Sequence, residues 1–214
     1  MKSLLLIALV LLPIVASAQR PASRGKPLIL VLGDSNLVGS FGDVLHKSIQ
    51  DINRTDVLSI GIGGGSAAYY LRTMTNACCG YKVRASEQGS HGFKVVASGG
   101  AKNNAVVMPQ YKGDALALIR QLRPAMVVIA LGSNATSAES YNSLVSRINA
   151  INPAMPIFWV GPPNAPEINA TRADNLIRSA LRQFPRAPYH FYSSQGVIKR
   201  LHPGPADARR WVDG

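Results

Sequence analysis

Five short apolar runs alternate with longer amphipathic stretches, and this alternation restricts the possible folds more than any other feature of the chain. Leu28-Ile29-Leu30-Val31-Leu32 is apolar throughout and stops at Gly33. A strand covered on both faces has this composition, because neither side of its pleat meets water. Val57 to Ile60, Ala125 to Leu131, Pro156 to Val160 and Tyr189 to Tyr192 are the other four runs. Between them apolar residues recur near a 3.6-residue period. Leu37, Phe41, Val44, Leu45, Ile49 and Ile52 mark a helix from Asn36 to Ile52, and Leu176, Ile177, Ala180, Leu181 and Phe184 mark one from Asn169 to Phe184. Shorter helices are expected from Ala67 to Met74, Asp114 to Leu122, Ser140 to Ile151 and Ala206 to Val212. Strand–helix repetition predicts a parallel sheet with helices on both faces. The expected fold is thus a three-layer, flavodoxin-like α/β domain with a mostly parallel five-stranded sheet. In such a sheet the ligand site lies outside the carboxyl ends of the strands.

Residues 76–112 do not follow the alternation. They hold Cys78, Cys79, Gly80, Gly89, Gly92, Gly99 and Gly100 and few periodic apolar residues. The sequence therefore suggests one long irregular loop, the kind that shapes specificity or moves. The two cysteines are neighbours, and adjacent Cα atoms lie about 3.8 Å apart, below the usual disulfide range of roughly 4.4–6.8 Å. Two free thiols, or an intermolecular link, are expected. No paired ligands follow at zinc spacing, so no metal is expected.

The N-terminus has the layout of a secretory leader. Lys2 is followed by an apolar run from Leu4 to Val15 and then by Ala16-Ser17-Ala18, small residues of the kind a signal peptidase cuts behind. The run is shorter than the roughly 20 residues a membrane span requires. Residues 1–18 are thus expected to be a signal peptide, 19–27 a linker and 28–214 the folded domain, secreted or periplasmic after cleavage near Ala18. The 214 residues carry 23 Lys+Arg against 11 Asp+Glu, a net charge of +12. Such a surface favours polyanions, and for a secreted protein anionic envelope polymers are the economical partners. A merely solubilising surface is an equal reading. The basic residues are scattered and do not interleave with aromatics, so no specific nucleic-acid partner is expected.

Four features hold chemistry-bearing residues. Gly33-Asp34-Ser35-Asn36 joins the first strand to the first helix. A Ser at a helix N-terminus sits beside unpaired N–H groups and the positive end of the helix dipole, so a nucleophile and part of an oxyanion hole can share the place. Taken alone, Ser35 or Asp34 is equally well a helix cap. Gly61-Ile62-Gly63-Gly64-Gly65-Ser66 ends the second strand, where glycines let backbone amides approach a ligand; no Walker lysine follows. Leu131-Gly132-Ser133-Asn134 ends the third strand, and an Asn there can donate to an oxyanion, though it is also a common turn residue. His202 precedes the last helix, and His is the usual base for a serine nucleophile. His46 and His190 are expected to be structural or solvent-exposed, and His91 has no evident partner.

The order of these features resembles the SGNH (GDSL-like) hydrolase family, in particular a secreted bacterial branch, over residues 28–213. Trp159-Val160-Gly161-Pro162-Pro163 and His202-Pro203-Gly204-Pro205 add to the likeness. The resemblance implies a serine esterase that needs no cofactor. Ser35 would be the nucleophile and His202 the base, with an oxyanion hole of the Ser35 N–H, the Gly64 N–H and the Asn134 amide. The expected substrate is an acylated carbohydrate, such as an acetylated envelope polysaccharide, or a small ester, and the expected state is a monomer. The chain departs from the family where an Asp usually stands three residues before the His: here that residue is Lys199, followed by Arg200. A third triad member orients the imidazole and stabilises its protonated form, and a cation does the reverse. Three outcomes stay open: a Ser–His dyad, substitution by Asp207 or another acid, or a weakened scaffold that binds glycans or polyanions. Asn36, where many members have Leu, reads as a minor variation.

Overall fold

In a computed structural model of the protein, the described residues are 26–53, 55–76, 78–87, 92–111, 113–134, 137–185 and 187–213. The expected signal peptide, its cleavage point and His91 lie outside them. The strands are β1 (Leu28–Gly33), β2 (Asp56–Ile62), β3 (Tyr81–Ser86), β4 (Phe93–Gly99), β5 (Met126–Ala130), β6 (Ile157–Val160) and β7 (Tyr189–Tyr192). They form one sheet of seven strands in the order β4-β3-β2-β1-β5-β6-β7. The helices are α1 (Ser35–Val38), α2 (Ser40–Asn53), α3 (Ala67–Tyr70), α4 (Ala115–Leu122), α5 (Ala138–Ile151), α6 (Ala170–Arg182) and α7 (Pro205–Asp213).

The five expected strands are β1, β2, β5, β6 and β7, and all pair in parallel. The five-strand expectation is corrected to seven. Within the segment that looked irregular, β3 and β4 pair antiparallel with each other, and β3 pairs antiparallel with β2. Their side chains hide them. Lys82 and Arg84 break any apolar run in β3, the register shifts between Val83 and Arg84, and β4 is a largely exposed edge.

Alternation along β1 builds the two cores. Leu30 and Leu32 point into the larger cluster with Ile119, Leu144, Ile148 and Ile177, from helices α4, α5 and α6. Ile29 and Val31 point into the other, with Leu37, Phe41, Leu45 and Trp211 from α1, α2 and α7. The expected three layers are therefore present. Period 2 in the strand feeds both faces, and period 3.6 in the helices covers them.

The helix expected from Asn36 to Ile52 is broken. Gly39 separates the single turn of α1 from α2 while the apolar period runs on through both. Packing explains the break. β2 passes close beneath α1 at Gly61, where an added Cβ would stand 2.6 Å from the Leu37 carbonyl carbon. The short turn thus rests on the sheet end, carrying Ser35 at its start.

Candidate active site

Gly33 ends β1, and the chain turns at once into α1. Asp34 is the N-cap of α1, and its side chain accepts from the Asn36 N–H at 2.9 Å. Capping is therefore the task of Asp34, which leaves the Ser35 hydroxyl free. Asp34 is buried, and burial pushes its carboxyl above the usual range; bonds from Asn36 and Ser133 pull partly the other way. Tyr70, also buried, clamps the end of β1. Its hydroxyl accepts from the Gly33 N–H at 3.2 Å and lies 2.7 Å from the Gly33 carbonyl oxygen and 3.0 Å from that of Ile60. Burial raises its phenol pKa.

The Ser35 Oγ lies 2.8 Å from His202 Nε2, although 167 residues separate them in the chain. His202 has φ +55° and follows β7 through a connection that crosses the ends of neighbouring strands. That connection is tied down along its length. Ser194 donates to the Gly161 carbonyl at 2.7 Å, the Asn164 N–H donates to the Ile198 carbonyl at 2.8 Å, and Ile198 is buried. At its far end the His202 N–H donates to Asn36 Oδ1 at 3.1 Å.

Asn36 is therefore more than a variation on leucine. Its side chain is buried, and its Nδ2 donates to Asp34 Oδ1 and to Ser133 Oγ, each at 2.9 Å. One amide joins the ends of β1 and β5 to the loop of the candidate base. The sequence contained a signal for this: an amide beside a strand-end serine, where the resemblance leads one to expect an apolar residue.

Asn134 donates to the Gly65 carbonyl at 2.8 Å. An amide nitrogen has two hydrogens, so one remains for a ligand. Gly64 has φ +73°, a left-handed conformation that glycine adopts without steric cost. Among the described residues no acceptor pairs with the N–H of Ser35 or of Gly64. These donors lie at the carboxyl ends of β1, β2 and β5, on the same sheet edge as the Ser35–His202 pair.

Two expectations are corrected here. Asp207 does not reach His202; it forms ion pairs with Arg200 and Arg210 on its own segment. The acid nearest in sequence is taken up by the cations around it, and among the described residues no carboxylate pairs with the His202 ring. Cys78 and Cys79 are joined in a disulfide rather than free. Their turn is held by the Gly80 N–H donating to Asn76 Oδ1 at 3.0 Å and by the Gly63 N–H donating to the Gly80 carbonyl at 2.7 Å. Cα spacing alone leaves these anchors out of account. The pair adjoins the glycine loop: a Cβ on Gly64 would lie 3.5 Å from that of Cys78. His46 is buried among Ser59, Ser86 and Phe93, and His190 is exposed on β7, each one of the two situations expected of them.

The sheet and the helices that cover it have the SGNH-type esterase fold. The chain is similar to a peptidoglycan O-acetylesterase with a TM-score of 0.55 and 13% identity, over 89% of each chain. It is also similar to a family 2 carbohydrate esterase from Clostridium thermocellum, with a TM-score of 0.50 and 14% identity, over 89% of this chain and 62% of that one. No protein-family model and no curated protein matches the sequence.

Proposed function

We propose that the protein is a serine esterase that removes acetyl groups from carbohydrate, acting outside the cytoplasm on a polymer of the cell envelope. The observation that carries this reading is the 2.8 Å approach of His202 Nε2 to Ser35 Oγ at a sheet edge where N–H donors face no acceptor. His202, protonated on Nδ1, accepts the Ser35 proton at Nε2 while Oγ attacks the ester carbonyl. The oxyanion takes hydrogen bonds from the Ser35 and Gly64 N–H groups and from Asn134 Nδ2. The imidazolium then gives its proton to the departing sugar oxygen, leaving an acetyl-serine. Water, deprotonated by His202, releases acetate and restores Ser35. The carbohydrate substrate is suggested by the two similar structures. Location outside the cytoplasm rests on the leader-like N-terminus; among the described residues no helix is long and apolar enough to cross a membrane.

One observation favours a second reading. The His202 ring has no carboxylate partner, and Lys199 and Arg200 are close to it in the chain. A scaffold with a weak base that binds acetylated glycan without cleaving it would look the same. Labelling with a fluorophosphonate separates the two. The esterase reading expects covalent labelling that is lost in Ser35→Ala and falls by about 10²-fold or more in His202→Ala. Unlabelled wild-type protein that still binds acetylated polysaccharide would establish the second reading instead.

A further inference from the structure

Arg84 lies in the middle of β3, in the segment whose sequence suggested a loop, and its side chain is completely buried. A buried guanidinium requires partners for nearly every donor. Arg84 has them. Nε donates to Asp43 Oδ1 at 2.6 Å, Nη1 to the Leu37 carbonyl at 2.7 Å, and Nη2 to the carbonyls of Val38 and Gly39 at 3.0 and 3.2 Å. Those carbonyls close the turn that begins with Ser35. A four-residue helix leaves its last carbonyls without helical partners; of the three, only that of the C-cap Gly39 also accepts from α2, from the Gly42 and Asp43 N–H groups at 3.1 and 3.4 Å. One rigid fork pairs the Leu37 and Val38 carbonyls and adds a bond to that of Gly39, a fixed planar geometry that a lysine ammonium does not reproduce.

Neighbouring glycines show how closely this joint is fitted. A Cβ on Gly42 would stand 1.9 Å from the Leu37 oxygen and 2.9 Å from Arg84 Nη1. A Cβ on Gly61 would stand 2.6 Å from the Leu37 carbonyl carbon and 2.7 Å from the Val38 nitrogen. The end of α1 is thus held by β2, α2 and the guanidinium together. Ser35 is three residues from Val38 on the same turn, so any rotation at Val38 moves the hydroxyl and N–H of Ser35 relative to His202 and Gly64.

We propose that Arg84 is a positioning residue for the nucleophile. With Asp43 as its counterion, it fixes the turn that points Ser35 at its base and into the oxyanion site. This rests on the Ser35–His202 reading given above. Arg84 touches no reacting atom; it acts through the backbone of α1.

The test compares wild type, Ser35→Ala, Arg84→Met, Arg84→Lys and Asp43→Asn. Folded protein is quantified by near-UV circular dichroism, and fluorophosphonate labelling and 4-nitrophenyl acetate hydrolysis are measured per folded molecule. Misplacement by a fraction of an ångström at a reacting centre lowers rate far more than binding. Arg84→Met is therefore expected to label about tenfold more slowly or worse and to lose kcat with KM nearly unchanged. Arg84→Lys should fall between it and wild type. Asp43→Asn alters a partly exposed group and keeps the guanidinium, so it reads the same joint if Arg84→Met does not fold; slower labelling at unchanged KM is again expected. Folded Arg84 variants that label at the wild-type rate would overturn the proposal. If Arg84→Met is unfolded, wild-type kinetics in both Arg84→Lys and Asp43→Asn would do the same. Labelling that persists in Ser35→Ala would instead overturn the assignment of the nucleophile.

Discussion

The side chain of Asn36 reaches three loops, and at the residue scale the site depends on it. Its Nδ2 holds Asp34 and Ser133, and its Oδ1 holds the backbone of His202. In a Ser-His-Asp triad a carboxylate on the imidazole ring orients the base; in this candidate site the fixed point is the His202 backbone N–H, two bonds away from the side chain. Asn36→Leu keeps the volume but leaves buried polar groups unpaired. It is expected to lower stability by about 1–3 kcal/mol and to slow fluorophosphonate labelling by about tenfold or more. Chemical denaturation and labelling kinetics check the two parts, and a leucine variant with wild-type labelling would show that His202 finds its place without the amide. The positions of Ser35, Gly64 and Asn134 were legible because each follows an apolar strand and a glycine. His202 was legible as the histidine that heads the final helix. That no carboxylate among the described residues pairs with its ring was not legible, because sequence proximity pointed to Asp207, which two arginines hold elsewhere.

At the scale of elements, five parallel strands were readable because burial on both faces removes polar residues from them. The β3–β4 hairpin was not, because it is an antiparallel edge. Val95 and Val96 are 49% and 44% exposed, and Arg84 stands where an apolar residue would be expected. The buried interface of α2 with this hairpin makes stability depend on pH. His46 Nδ1 lies 2.7 Å from Ser59 Oγ on β2, and its ring packs on Phe93 of β4. Burial, and next the charge of Arg84, lower its pKa from 6.5 to about 4, with Asp43 opposing. The unfolded chain therefore binds a proton between those values that the folded chain refuses. The stabilisation is complete above pH 6.5 and is lost as pH falls toward 4, amounting to at most about 3 kcal/mol. Urea unfolding at pH 7 and pH 5 is expected to show the fall. His46→Gln, which does not titrate, should have a flatter profile, and an identical slope in the variant would remove His46 as its source.

For the whole molecule, the base depends on how the sheet is closed. α7 docks on α2 through Trp211, which stacks on Phe41 at 3.9 Å between ring centroids and donates to Ser194 Oγ at 2.5 Å. Ser194 in turn fastens the loop that leads to His202. Trp211→Ala is expected to cost about 3–5 kcal/mol. It should also slow labelling per folded molecule, as followed by thermal melts and probe kinetics; a destabilised variant that labels at the wild-type rate would show the loop to be held without it. The net charge of +12, by contrast, is legible in the composition and requires no fold to be known.

The distance along the chain between Ser35 and His202 bears on biosynthesis. A polypeptide leaving the ribosome carries its serine long before the partner imidazole has been made, and β1 cannot acquire that partner until β5, β6 and β7 have been laid down in turn. On the reading proposed above, the hydroxyl is without its base until the loop that carries His202 has been made.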